Sequence, residues 1–221
     1  PKPSAYGEHG SNTAFVMFEY LEFTGGGGGS QYELGKQLAK MHRKTSDNGS
    51  FGFVVDNTCG ATPQPNPWMD NWADFWDTAR LGHMLKLLGN LGMNDEKVQK
   101  LRAKTREILS HNPQPSLIHG DLWGGNKGFV KDPETGEVLP SIFDPATYYG
   151  DREADIGMTY VFGGFSSDFY KGYNDEWPLP PEFETKRKIV YNLYHILNHA
   201  VLFGGGYERQ AMGMIDKILR L

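Results

Sequence analysis

The sequence predicts an α+β fold: a mostly helical domain with a β-hairpin at its centre and a short strand-rich piece at its start. Three observations carry this. Apolar residues recur at helical spacing over 32–43, 72–79, 94–108 and 183–203. An apolar run over 13–20 has the β-branched and aromatic content of a strand. Between Pro115 and Pro145 two short strands flank the turn residues Asp132–Gly136. With 221 residues, 38% hydrophobic and 13% aromatic, the chain can bury a proper core. A net charge of −5 speaks against a nucleic-acid partner, whose binding surface is normally basic, and leaves room for a cationic substrate. Cys59 is the lone cysteine, so no intrachain disulfide forms, which suits the cytoplasm or an organelle stroma. No apolar run approaches the roughly 18 residues of a membrane span, and the first residues lack a signal-peptide core.

Taken in order, residues 1–23 read as a hairpin, with turn residues over Tyr6–Asn12 and a buried strand over Thr13–Tyr20. Two strands alone are marginal in water, so they are expected to complete a sheet made by something else. Gly25–Gly29 reads as a flexible tether within a 24–30 linker, which sets 1–23 apart from 31–221. A helix over Tyr32–Arg43 turns Leu34, Leu38 and Met41 inward. Residues 44–69 are loop-like, with Phe51 and Phe53 packed beneath and the proline-rich 62–67 segment extended. Asp70 or Asn71 caps a helix whose stripe of Trp72, Phe75, Trp76 and Ala79 is core. Another helix starts at Asn94, with Asp95 and Glu96 in its first turn, Val98, Leu101 and Ile108 inside, and Pro113 and Pro115 at its end. Asp151 is expected to cap a helix with Ala154, Met158, Val161 and Phe162 on one face, and 163–181 to be irregular and aromatic. Phe183–Phe203 is a helix burying Val190, Leu193, Tyr194, Leu197 and Val201, and a last helix runs over Tyr207–Leu221. His195 and His199 have the spacing of a metal pair. Without H-E-x-x-H or an evident third ligand they read as satisfied core or pocket-edge histidines.

The chemistry concentrates in 115–145. Leu117-Ile118 ends in His119-Gly120-Asp121, Asn126 follows, and the returning strand Ser141-Ile142-Phe143 delivers Asp144. Phosphoryl transfer to a hydroxyl needs a carboxylate within reach of its proton, and magnesium on a nucleotide takes hard oxygen ligands. Protein kinases supply a catalytic-loop Asp, an Asn five positions later and an Asp opening the next loop. Asp121, Asn126 and Asp144 fall in that order. With H-G-D for H-R-D and F-D-P for D-F-G, the chain resembles the small-molecule branch of the protein-kinase-like fold, which includes aminoglycoside and choline phosphotransferases. That resemblance implies a mostly helical C-terminal lobe with a catalytic-loop hairpin and a remnant of an N-terminal β lobe. It also implies an adenine hinge at Glu19-Tyr20-Leu21 and an Asp155 that accepts hydrogen bonds from the catalytic-loop backbone. His119 is assigned, with Asp155, to structural support.

Further blocks narrow the resemblance: P-Q-P-N-P-W at 63–68, W-x-x-F-W at 72–76, L-I-H-G-D-L-W-G-G-N at 117–126, I-F-D-P-A-T-Y-Y-G-D-R-E-A-D at 142–155, F-G-G-F at 162–165 and N-H-A-V-L-F-G-G-G-Y at 198–207. With these the chain resembles the fructosamine kinases, or ketosamine-3-kinases, from the hinge to its end. The resemblance implies ATP-dependent phosphorylation of the 3-hydroxyl of ketosamines, as small molecules or on glycated protein lysines. The 3-phosphate then breaks down and frees the amine, which is deglycation. Carried over by position, Asp121 is the base, Asn126 and Asp144 hold Mg2+, and Glu19, Tyr20 and Leu21 meet adenine. Trp123, two residues past the base, offers a face to the sugar ring.

The departure from the family lies before residue 13, where no glycine-rich phosphate loop, strand lysine or helix glutamate is found. The expectation is that the chain is a fragment of a longer kinase and inactive by itself. The triad alone would equally suit an aminoglycoside, choline or other small-alcohol kinase. A pseudokinase-type binding module is the second alternative: the intact metal ligands speak against it and the absent lobe elements speak for it.

Overall fold

The computed structural model of the chain describes residues 2–10, 13–24, 30–132 and 134–221. The five-glycine tether, Ser11-Asn12 of the first turn and Pro133 of the second lie outside the described residues. The helices are α1 (Gln31–His42), α2 (Trp72–Phe75), α3 (His83–Leu87), α4 (Asp95–Ile108), α5 (Glu153–Thr159), α6 (Ser167–Glu176), α7 (Lys188–Phe203) and α8 (Gly206–Ile218). Among the described residues the strands pair in twos and antiparallel: β1 (Pro3–His9) with β2 (Thr13–Phe18), β3 (Asn57–Cys59) with β4 (Thr62–Gln64), β5 (Ser116–Ile118) with β8 (Tyr148–Gly150), and β6 (Lys127–Lys131) with β7 (Val138–Ile142).

The β1–β2 ribbon differs from expectation in two ways. Tyr6–His9 belongs to β1 rather than to the turn, and β2 is exposed along its whole length. A ribbon two strands wide buries a face only against another layer, and among the described residues none of its hydrogen bonds leaves it. The chain joins the larger body just afterwards, where the Thr24 N–H donates to the Phe129 carbonyl at 2.9 Å and the Phe23 ring meets Phe143.

Side-chain caps open α1, α2 and α4. Side-chain oxygens of Ser30, Asn71 and Asn94 accept the N–H groups of Glu33, Asp74 and Lys97, so Asn71 and not Asp70 opens the tryptophan helix. That helix runs from α2 through a π-helical stretch, Trp76–Gly82, into α3. Helix α4 ends at Ile108, before either proline, and Asn112 turns the chain with a φ of 50°. Helix α5 stops at Thr159, which takes Val161 and Phe162 off its face. A π-helical turn, Phe183–Arg187, precedes α7.

The core lies where α2, α3, α7 and α8 meet. Trp72, Trp76, Tyr191 and Leu197 are almost fully buried there. The Trp72 indole N–H donates to the Tyr191 hydroxyl at 3.1 Å, and Trp76 meets the same ring edge-on. A bidentate pair from Arg187, just before α7, to Glu153 of α5, at 2.6 and 2.8 Å, ties the two segments together.

Helix α6 occupies a segment that sequence periodicity leaves irregular. Its aromatic and polar residues are weak helix formers, and tertiary contact makes the difference. Glycines let α6 lie against α1: a Cβ on Gly35 would sit 2.0 Å from the Phe169 carbonyl oxygen, and one on Gly172 2.0 Å from that of Tyr32. Alanine is the better helix former by about 1 kcal/mol, yet Gly35→Ala is expected to destabilise the chain by about 1–3 kcal/mol through overpacking. Gly213→Ala, on α8 with no atom near the added carbon, should stabilise it. Urea unfolding of the two variants measures the opposite signs.

Candidate active site

Four short elements converge on the loop between β5 and β6. Strand β5 buries Ile118 and delivers His119-Gly120-Asp121. Gly120 has a φ of 82°, and a Cβ there would lie 2.0 Å from the Ala146 carbonyl oxygen, so the loop passes this point only as glycine. The Asp155 carboxylate then secures the loop from α5, accepting the His119 N–H at 2.7 Å and the Gly120 N–H at 2.8 Å. His42 of α1 reaches the same carboxylate, with Nε2 3.0 Å from Oδ2. Its Nδ1 lies 2.8 Å from the Tyr173 hydroxyl, which in turn accepts from Arg152. Burial alone would raise the Asp155 pKa, but the bonds from His42 and the loop backbone outweigh it and hold the carboxyl below its ordinary range.

His119 is a strut between the two arms of the site. Its Nε2–H donates to the Phe143 carbonyl at 2.8 Å, and its Nδ1 accepts the Asp121 N–H at 3.3 Å. Burial lowers its pKa, which suits the neutral tautomer that both contacts require. Asn126, buried at the end of a 3-10 turn over Gly124–Asn126, accepts the Phe143 N–H on its backbone carbonyl at 3.1 Å. Its side-chain amide donates to the Asp121 carbonyl at 2.9 Å, with longer contacts to Asp121 Oδ2 and the Asp144 carbonyl, both at 3.4 Å.

Asp121, Asn126 and Asp144 therefore line one cavity of about 370 Å³, together with Trp123, Thr58 and Gly60. Desolvation, with the charges of Asp155 and Asp144, pushes the Asp121 pKa from 3.8 up to about 6, and the Asn126 hydrogen bond only partly offsets this. Asp144 has a φ of 53°, uncommon for a non-glycine residue. Among the described residues its carboxylate takes part in no hydrogen bond or ion pair. The Asn126 side-chain oxygen is likewise without a protein donor. Two unclaimed hard oxygen groups beside a cavity fit Mg2+.

Trp123 is 41% exposed, lines the cavity and meets Phe162 edge-on. Glu19, Tyr20 and Leu21 stand between β2 and the Phe23 junction, and the Tyr20 ring is 90% exposed. A second cavity of about 320 Å³ opens beside them in sequence, lined by Phe23, Thr24, Lys127, Phe129 and Phe143. The histidine pair does not converge: the His199 ring contacts the His195 carbonyl at 2.9 Å instead of sharing a ligand position. His195 is buried, as expected of a core histidine, but it is not satisfied, because its Nδ1 has no hydrogen-bond partner. Burial lowers its pKa to about 3, so the ring is neutral.

Several supporting residues carry no signal in the sequence. Gln64 accepts from the Tyr194 hydroxyl at 2.7 Å and donates to the Ala146 carbonyl at 3.0 Å. Asn57 donates to the Thr147 carbonyl at 2.8 Å. Arg80 is fully buried, its guanidinium 3.9 Å over the Tyr148 ring, and it donates to Pro65 and Asn66 at 2.7 Å each. The prolines of 63–67 were legible; the Gln64 and Asn57 amides that reach the loop after Asp144 were not.

Comparisons with known proteins place the chain in a family. The chain is 46% identical over its full length to a probable ketoamine kinase of Synechocystis, of which it spans 72%. It is 41% identical to the chloroplastic protein-ribulosamine 3-kinase of Arabidopsis thaliana, spanning 67% of that protein. It thus covers between 63% and 75% of the length of such curated relatives. The crystal structure of a Haemophilus somnus protein provisionally named a fructosamine-3-kinase superposes with a TM-score of 0.81 at 29% identity, over 93% of this chain and 68% of that one. These likenesses fix the kinase-like α+β fold, and the family model described as "Fructosamine kinase" matches residues 1–221. The chain belongs to the fructosamine kinase family.

Proposed function

We propose that the protein transfers the terminal phosphoryl group of ATP to the 3-hydroxyl of a ketosamine, either a small molecule or an adduct on a protein lysine. The observation that carries the reading is the convergence of Asp121, Asn126 and Asp144 on one cavity, with the Asp121 pKa raised to about 6. Asp121 would accept a hydrogen bond from the 3-hydroxyl, align it, and take its proton late in the transfer. A positioned base of this kind contributes about 10²- to 10⁴-fold in rate. Asn126 and Asp144 would hold Mg2+, which when bound neutralises charge on the phosphates. Trp123 would stack on the sugar, and Glu19, Tyr20 and Leu21 would meet adenine through their backbone. The product 3-phosphate would decompose and release the amine. No described helix is long and apolar enough to cross a membrane. We place the reaction in the cytoplasm or an organelle stroma, a setting supported by the lone cysteine and by the chloroplastic plant relative. Phosphorylation of ribulosamine and fructosamine, with choline and an aminoglycoside as rival acceptors, tests the assignment on the full-length polypeptide; transfer only to the rivals, or none with intact ATP binding, would sink it.

Three variants test the roles. The folded-state pKa of Asp121 lies above the unfolded value, so this group favours folding below about pH 3.8 and that contribution is lost as pH rises through about 6. Asp121→Asn should therefore be about 1–3 kcal/mol more stable than the parent at pH 7 while its turnover falls by about 10²-fold or more. In the parent, kcat/KM should decline as pH drops below about 6, as the base protonates. Trp123→Ala should raise KM for the ketosamine several-fold and leave KM for ATP alone; an unchanged acceptor KM removes the stacking role. Asp155→Asn puts an amide donor against the loop N–H groups, and unfolding should show a loss of about 3–5 kcal/mol, as for a broken buried charge network.

A further inference from the structure

Strand β3 ends at Cys59, and its neighbours Thr58 and Gly60 line the same cavity as Asp121. The Cys59 Sγ, a ring nitrogen of His195 and a carboxylate oxygen of Asp121 all lie within 4.8 Å of one another. The first two belong to side chains only 1% and 4% exposed. His195 Nδ1 has no hydrogen-bond partner, and Asp121 Oδ1 stands 4.0 Å away, too far to serve as one. Nothing in the phosphotransfer reading uses Cys59 or His195. A buried polar atom left open beside two other donor groups calls for an explanation.

We propose that Cys59, His195 and Asp121 form a binding site for a borderline-soft divalent cation, Zn2+ being the best match, and that its occupancy withdraws Asp121 from the acceptor hydroxyl. Thiolate, imidazole and carboxylate are the donor set of tetrahedral zinc, at roughly 2.0–2.3 Å from the ion. Donors on one such ion lie roughly 3.5 Å apart, so side-chain rotations of under about 1 Å close the site. The fourth position stays open for water. The Asn198 amide donates to Cys59 Sγ at 3.3 Å, an outer hydrogen bond of the sort that steadies a bound thiolate. On binding, the sulfur–hydrogen bond gives way to a sulfur–metal bond and the proton leaves to solvent. Mg2+ prefers hard oxygens and rejects this set, so the Asn126–Asp144 pair and the Cys59–His195 pair sort the two ions by softness. The binding claim stands on the geometry alone; the inhibitory claim rests on the phosphotransfer reading.

The test uses the full-length protein in excess Mg2+. Titration with Co2+ should produce one equivalent of thiolate-to-cobalt absorption, absent in Cys59→Ser. Competition against a chromophoric chelator should show Zn2+ affinity falling by about tenfold or more in Cys59→Ser and in His195→Asn. In the kinase assay Zn2+ should inhibit the parent competitively with the ketosamine, while Cys59→Ser keeps its turnover and resists Zn2+ by about tenfold. Absence of the thiolate band overturns the site, as does equal Zn2+ affinity in parent and Cys59→Ser, the result for an adventitious ion only. Loss of Zn2+ affinity in Asn126→Ala with none in Cys59→Ser would move the ion to the magnesium position and also overturn it. A thiolate band without inhibition removes the inhibitory claim alone. A full-length protein without kinase activity removes the phosphotransfer reading, and the cobalt band still decides the site. If His195→Asn does not fold, Cys59→Ala takes its place in the chelator competition.

Discussion

The carboxylate of Asp155 is the fixed point of this molecule. It is buried, it faces two backbone N–H groups of the catalytic loop at 2.7 and 2.8 Å, and His42 meets it from another helix. Hydrogen bonds to a charged group contribute about 1.5–3 kcal/mol each, so a short loop with no regular structure gains the rigidity of a strand. The contact chain runs on through Tyr173 to Arg152, which donates to the carbonyls of Trp177 and Pro178. Helices α1, α5 and α6 are thereby locked to the loop that carries Asp121. The glycine contact between α1 and α6 serves the same end, since it sets the depth at which His42 and Tyr173 approach each other.

Three aspartates lie close together at the site, and their surroundings give them different chemistry. Asp155 is saturated with donors and stays ionised in the interior. Asp121 is only partly enclosed but has just the Asn126 amide to stabilise its charge, and its pKa climbs to about 6. Paired carboxylates pushed apart in pKa are the ordinary signature of divided acid–base roles. The neutral His119 and His195 rings fit this picture, because neither supplies a cation that would pull Asp121 back down. A carboxyl raised in this way costs stability in its ionised form, which is the usual tension between activity and folding that the proposed role of Asp121 would entail.

What the sequence made legible follows from how directly each residue acts. Asp121, Asn126 and Asp144 stand at spacings set by backbone geometry, and one cavity receives all three. Helices with a clean apolar face, such as α1, α4 and α7, could be read because burial imposes their period. Helix α6 could not, since it packs through Gly35 against Phe169 and through Gly172 against Tyr32, contacts between distant parts of the chain that no local pattern encodes. The ribbon at the start misled for the opposite reason: its apolar content describes a strand meant for covering, while the described residues offer no covering layer. His42, Gln64 and Asn57 stayed invisible because each addresses a distant backbone or carboxylate group, an interaction with no period.

The same indirect contacts explain how Asp144 can be both strained and precise in place. A non-glycine residue at a φ of 53° persists only where its surroundings over-determine it. Before it, the Phe143 carbonyl accepts from His119 at 2.8 Å and the Phe143 N–H donates to Asn126 at 3.1 Å. After it, Gln64 holds the Ala146 carbonyl, Asn57 holds the Thr147 carbonyl, and the Thr147 hydroxyl donates to Ile118 at 2.6 Å. Arg80, stacked on Tyr148 and bonded to Pro65 and Asn66, fixes the hairpin from which Gln64 and Asn57 reach. Every one of these bonds grips the neighbours of Asp144, and none uses its carboxylate. The residue is held from both sides through the backbone, so among the described residues its two oxygens have no protein partner, as the proposed cation role requires, and the strain of its conformation is carried by groups outside the carboxylate.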